Sequence, residues 1–276
     1  MPELPPLREV IARHGIAAQK SLGQHFLLDL NLTRKIARAA GDLRRRTVLE
    51  VGAGPGGLTR ALLAEGAGHV VAVERDKRCL AALEELAAGQ AGRLTVIAAD
   101  ALELDERQVL SGPASVVANL PYNISTLLLL KWLDRLELFD RLVLMLQREV
   151  AQRLTAPPGG KTYGRLSVML QWRCRARTLF DVPARAFTPP PKVVSTVVGI
   201  EPLPAPRAPA DAAVLAAVVA AAFGQRRKML RTSLKQISDD PGGLLAAAGL
   251  DPTLRAESLD VGQFCALARA HAAEMG

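Results

Sequence analysis

Residues 47–57, TVLEVGAGPGG, decide the fold, because they join a strand to a helix through a turn rich in glycine. Thr47-Val48-Leu49-Glu50-Val51 is a short β-branched, apolar run of the kind found in buried strands. GLTRALLAEG (57–66) follows at once, with apolar residues three and four apart, the spacing of a helix. Glycines in such a turn let the backbone fold tightly and approach a ligand with no Cβ in the way. Gly52, Gly54 and Gly57 satisfy G-x-G-x-x-G literally, so this stretch alone admits a dinucleotide as readily as any other adenosine-bearing cofactor.

Outward from this unit the same texture repeats. HVVAVE (69–74), RLTVIAAD (93–100), ASVVAN (114–119) and RLVLML (141–146) are strands; KRCLAALEELAAG (77–89) and STLLLLKWLDRL (125–136) are helices between them. That alternation predicts an α/β fold, a Rossmann-like parallel sheet with helices on both faces. RLSVMLQWRCRA (165–176) and KVVSTVVGIEP (192–202) then read as two more strands with only a loop between them. A late antiparallel pair of this kind is where class I methyltransferase sheets differ from dehydrogenases. EPLPAPRAPAD (201–211) has four prolines in eleven residues and reads as a linker. The expected organisation is a basic helical segment over 1–46 packing on a catalytic domain over 47–203, followed by a small all-α domain over 204–276. Residues 1–46 carry nine Lys or Arg against four Asp or Glu.

Composition narrows the classes. Hydrophobic residues make up 49% of 276, enough for a buried core, and the net charge of +8 suits a polyanionic partner. Cys79, Cys174 and Cys265 lie far apart, with no CxxC pair, so neither a zinc site nor a disulfide framework is expected. MPELPPLREV (1–10) has no apolar signal core, and the longest uncharged apolar run, 212–223, is too short to span a bilayer. A cytoplasmic, monomeric protein without a metal or a membrane partner is expected.

Glu74 closes the second strand, where a carboxylate can accept from both ribose hydroxyls of a nucleotide cofactor. Asp100 closes the third, where it can accept from an adenine amino group. Acids at both strand ends tilt the reading from a nicotinamide cofactor toward S-adenosylmethionine, while the dehydrogenase reading stays open from the glycine turn. The fourth strand ends in Asn119-Leu120-Pro121-Tyr122. An aryl amine such as N6 of adenine is a poor nucleophile, because its lone pair is delocalised into the ring. Two acceptors on the amine hydrogens, the Asn119 side-chain oxygen and the Pro121 carbonyl, would pull the nitrogen toward sp³ and localise that pair. Tyr122 would stack on the base. In isolation N-x-P-Y is also an ordinary turn; its place at the end of strand four favours the site.

Asn119-Leu120-Pro121-Tyr122 resembles the N/D-x-P-Y/F motif of amino-methyltransferases, and NLPYNIST (119–126) resembles the ribosomal RNA adenine N6,N6-dimethyltransferase family. KSLGQHFLLD (20–29), LEVGAGPGGLT (49–59), FTPPPKVVS (187–195) and FGQRRKMLRTSL (223–234) agree with it, in order, over nearly the whole chain. The resemblance implies S-adenosylmethionine as cofactor, contacted by His25, Leu27, Gly52, Glu74, Asp100 and Asn119. His25 stands where many members have Asn. It also implies Phe187 as partner of Tyr122 in clamping a flipped adenine, with Asn119, Pro121, Tyr122 and Phe187 forming the catalytic set. The small ribosomal subunit and its RNA are the implied partner, with two adjacent adenosines near the 3′ end dimethylated during ribosome biogenesis. A macrolide-resistance-type enzyme acting on large-subunit RNA and a non-catalytic RNA-binding assembly factor remain alternatives.

Arg226, Arg227, Lys228, Arg231 and Lys235 place five cations in ten residues with no acid between them. On a helix they would form one continuous basic face for RNA. Arg173, Arg175 and Arg177 alternate, would share one face of a strand and would add to that basic track.

Overall fold

The computed structural model describes residues 4–19 and 22–275. Lys20 and Ser21 of the KSLGQHFLLD stretch lie outside the described residues. Contacts divide the chain into two compact units, one of Met1–Ala151 with Arg177–Pro202 and one of Gln152–Ala176 with Leu203–Gly276. The helical unit thus also takes in 152–176, a segment the reading of 47–203 as one uninterrupted domain assigns elsewhere.

In the first unit the strands are β1 (Phe26–Leu27), β2 (Thr47–Val51), β3 (His69–Glu74), β4 (Leu94–Ala98), β5 (Ala114–Asn119), β6 (Phe139–Gln147), β7 (Cys174–Val182, which begins in the second unit), β8 (Phe187–Thr188) and β9 (Ser195–Pro202). Among the described residues seven of them form one sheet in the order β4-β3-β2-β5-β6-β9-β7. The five from β2 to β6 are parallel neighbours, and β9 runs antiparallel to β6. Val48, Leu49, Val116, Val117, Val143 and Leu144 are wholly buried, as expected for parallel strands covered on both faces. Burying each such side chain contributes roughly 1.5–3 kcal/mol.

The connecting helices are α1 (Leu7–Arg13), α2 (Leu30–Ala39), α3 (Gly57–Ala64), α4 (Lys77–Ala88), α5 (Ser125–Leu133) and α6 (Arg148–Thr155). Asp29 caps α2 by accepting from the Asn31 and Leu32 amides, and Asp76 caps α4 by accepting from Arg78 N. From β2 the chain winds through α3, β3, α4 and β4 toward one edge; from β5 it winds through α5 and β6 toward the other. The reversal between β2 and β5 opens a crevice at their carboxyl ends, where open α/β sheets bind ligands.

The second unit holds α7 (Arg165–Arg173), α8 (Ala212–Gly224), α9 (Leu230–Ser233), α10 (Pro241–Ala247) and α11 (Val261–Met275) around Trp172, Leu215, Val218, Leu244 and Phe264. Here the expected strand over 165–176 is corrected: most of it is α7. The Gly164 amide donates to Ser167 Oγ at 3.0 Å, and that hydroxyl donates to Arg153 O at 2.5 Å. This start fixes a helical first turn against the β-branched and aromatic character of the segment. Arg173 therefore ends a helix, while Arg175 and Arg177 lie two apart on β7 and are exposed. No helix among the described residues is long and apolar enough to cross a membrane.

Candidate active site

Residues 22–27 and the loops after β2, β3, β4 and β5 line one pocket at the crevice. Its floor depends on glycine. Gly52 has φ +71°, and a Cβ there would stand 3.2 Å from Pro121 Cδ. A Cβ on Gly57 would stand 2.7 Å from the Leu27 carbonyl oxygen, so α3 packs on β1 only without one.

Every cofactor residue expected from sequence, His25, Leu27, Gly52, Glu74, Asp100 and Asn119, lines this pocket. Glu74 is buried and held by main chain: Oε2 accepts from Gly54 N at 2.8 Å, and Oε1 accepts from Arg75 N at 2.8 Å and Asp76 N at 2.9 Å. An ionised carboxylate has about four acceptor sites. A ribose diol needs two, so one Oε1 bond must be shared when it binds. Asp100 accepts from Leu102 N at 3.0 Å and pairs with Arg75 at 2.8 Å.

At the end of β5, Asn119 Nδ2 donates to the His25 carbonyl at 3.1 Å. One amide N–H is held there, and the amide oxygen, which makes no hydrogen bond within the protein among the described residues, is left for a ligand. The Pro121 carbonyl accepts from Ile124 N at 3.2 Å, which closes the turn and leaves one lone pair. Tyr122 is half-buried, its hydroxyl 2.5 Å from Ser195 Oγ, and burial pushes its phenol above the ordinary range.

The two rings expected to clamp a base are bridged by His25. Its ring stacks on Tyr122 with centroids 5.7 Å apart and meets Phe187 edge-on at 6.4 Å. His25 Nδ1 lies 2.7 Å from Pro189 O, and since a carbonyl only accepts, Nδ1 carries the proton. Phe187 is buried, brought here by the β1–β8 ladder, in which Leu27 pairs with Phe187 and Phe26 with Thr188. Gln24 Nε2 donates to Asp76 Oδ2 at 3.0 Å, tying the same N-terminal segment to the start of α4.

Two further side chains at the site escaped sequence reasoning. Glu50 lines the pocket, almost wholly buried, and accepts from Thr59 Oγ1 at 2.6 Å. Burial pushes its carboxyl up to about 8; Thr59 opposes that, and the charge of Glu74 adds to it. An acid inside an otherwise apolar strand was the available signal. The other is Ser195, which sits in the FTPPPKVVS stretch as one polar residue among strand formers and gives no local sign of its contact.

The basic run departs from the expected continuous helical face. α8 ends at Gly224, Lys228 N donates to Gln225 O in a turn, and α9 begins only at Leu230. Gly224 and the non-helical backbone of Gln225 (φ −126°, ψ 62°) stop the helix before the charges begin. Arg226 is turned inward, paired with Glu257 at 3.0 Å and donating to Gly160 O and Lys161 O. Arg227, Lys228, Arg231 and Lys235 are exposed. No cluster of three or more His, Cys, Asp or Glu among the described residues is placed to hold a metal ion.

A family model described as ribosomal RNA adenine dimethylase matches residues 15–272. The chain belongs to that family. Ribosomal RNA small subunit methyltransferase A of Rhodospirillum rubrum is 61% identical over 267 residues, 97% of this chain and 92% of the relative. The protein of the same name from Ruegeria sp. is 60% identical over 269 residues, 96% of each chain. Among solved structures, a dimethyladenosine transferase from Plasmodium falciparum superposes with TM-score 0.73 at 24% identity, over 88% of this chain and 96% of that one. The 23S rRNA methyltransferase ErmE gives TM-score 0.68 at 26% identity, over 89% and 98%. The Rossmann-like methyltransferase architecture expected from sequence is thereby borne out, and the family's name makes this chain an rRNA adenine dimethyltransferase.

Proposed function

We propose that the protein dimethylates N6 of two adjacent adenosines near the 3′ end of small-subunit ribosomal RNA during ribosome biogenesis, with S-adenosylmethionine as methyl donor. The observation that carries the chemistry is the Asn119 amide, which is oriented by one N–H donated to His25 O and whose oxygen is left for the pocket. The names of relatives at about 60% identity support the small subunit as substrate.

The pocket fits the cofactor. Glu74 suits a ribose diol, Asp100 an adenine amine, and the Gly52 turn would lose its close packing on Pro121 if it carried a Cβ. When bound, S-adenosylmethionine supplies an electrophilic methyl group on a sulfonium that leaves as a neutral thioether. For the first transfer Asn119 Oδ1 and the free lone pair of Pro121 O would accept from the two amine hydrogens and localise the nitrogen lone pair; the monomethylated amine keeps one hydrogen, which one of the two acceptors would hold for the second transfer. Tyr122 and Phe187 hold the ring of the flipped adenine. Proximity and lone-pair localisation carry the reaction without a general base, and the amine proton departs to solvent. Arg227, Lys228 and Arg231 bind RNA phosphates, and Arg226 orders the turn that presents them.

The test is transfer of labelled methyl to unmodified small and large ribosomal subunits, followed by digestion to nucleosides. Label in N6,N6-dimethyladenosine from small subunits alone is the expected result. Label in large subunits would move the protein to the resistance-type activity, and cofactor binding without transfer would favour a non-catalytic assembly role.

A further inference from the structure

We propose that Ser195 is a positioning residue for the base slot, fixing the plane of the Tyr122 ring on which the target base stacks; the inference rests on the function proposed above. Ser195 is fully buried and opens β9, where it pairs with Gln147 in the antiparallel ladder with β6. β6 in turn pairs with β5 up to Asn119, which lies opposite Met145. Ser195 Oγ therefore stands on the same strand framework as the Asn119 amide. Its position is set by the sheet and not by a loop.

Tyr122 lacks that framework. It follows β5 in a turn held by the Ile124 N to Pro121 O bond and by Ser125 Oγ donating to Tyr122 O at 3.1 Å. Those bonds fix its main chain but leave its ring free to tilt. Beyond packing, the ring is held by stacking of His25 at 5.7 Å and by the hydroxyl bond to Ser195 at 2.5 Å. Of the two, the Ser195 bond is anchored in the sheet, and it acts at the hydroxyl and so leaves both faces of the ring to a base. The 187–195 segment reaches the slot at three points, through the Phe187 ring, the Pro189 carbonyl on His25 and the Ser195 hydroxyl on Tyr122. Loss of one hydrogen bond that orients a reacting partner lowers the rate without touching cofactor binding.

The experiment is a double-mutant cycle of Tyr122→Phe and Ser195→Ala, read by single-turnover methyl transfer to unmodified small subunits and by calorimetric titration with S-adenosylmethionine. Each single variant should slow transfer about threefold to tenfold, and the double should be no slower than the slower single. Cofactor affinity should stay within about twofold, a difference a general structural defect would not spare. The chain has only two tyrosines, Tyr122 and Tyr163, so ring-labelled tyrosine gives an independent readout. The resonances lost in Tyr122→Phe should shift in Ser195→Ala while those of Tyr163 hold still. Losses that multiply in the double, full rate in Ser195→Ala, or unmoved Tyr122 resonances would overturn the assignment. If the wild type transfers no methyl group at all, the proposed function fails, and the Tyr122 resonances still decide whether Ser195 holds the ring.

Discussion

The pocket of the first unit and the basic run of the second come from equally suggestive sequence, yet the structure builds them differently. At the pocket, Glu74 and Asn119 are held by rigid groups: three main-chain amides on Glu74, the His25 carbonyl on Asn119, strand ends beneath both. In the run 226–235, a turn breaks the expected helix, and the first arginine faces inward on Glu257. Shape-specific chemistry needs side chains fixed to fractions of an ångström, whereas attraction to phosphate needs only exposed charge. A motif of spaced, dissimilar residues thus reports geometry, while a motif of like charges reports composition.

The largest effect that separates the two regions belongs to Glu74. Glu74→Ala removes two charge-assisted acceptors for the ribose and should weaken S-adenosylmethionine about a hundredfold by calorimetry, with binding to subunits unchanged. A loss under about threefold would take Glu74 out of the cofactor site. Next in size, reversing Arg227 and Lys228 to Glu should raise the KM for small subunits about tenfold and flatten its salt dependence, with cofactor affinity intact. Arg226→Ala should do the opposite of its neighbours, lowering the melting temperature by a few degrees and changing KM less than about twofold, because its partners are Glu257 and two carbonyls. Equal KM effects at 226 and 227 would erase the distinction drawn between them.

The smallest effect is a pH dependence inside the pocket. Glu50 is raised from 4.5 to about 8 in the folded protein, chiefly by burial. The folded state therefore holds a proton that the unfolded state releases, and stability is lost as pH rises through that interval. Melting temperatures of the wild type should fall relative to Glu50→Gln between about pH 4.5 and pH 8 and run parallel to it above that. Parallel curves throughout would mean that Glu50 is not protonated in the fold.

Much of this was legible because its cause is local. The strand–turn–helix of 47–66 follows from β-branched residues, glycines and helical spacing within twenty positions, and the topological switch then places Asn119 beside it. What was illegible depends on partners far along the chain. β1 and β8 are two residues each and exist only by pairing across some 160 positions, so no periodicity marks them. That ladder brings Phe187 to His25, and nothing in either segment foretells the contact. Residues 165–173 read as strand from their composition, and a capping bond to Ser167 decides for helix. Glu50 looked like one more strand residue, because burial is a property of the packed sheet.

If the oriented amide at the end of β5 activates the target amine, Asn119→Ala must separate transfer from cofactor binding. Single-turnover transfer to small subunits and calorimetric cofactor affinity should be measured on the same preparation. The rate should fall at least about tenfold, as when one fixed polar contact to a transition state is lost, while cofactor affinity changes less than about threefold. Equal losses in rate and affinity would show that Asn119 only holds the cofactor and does not activate the amine.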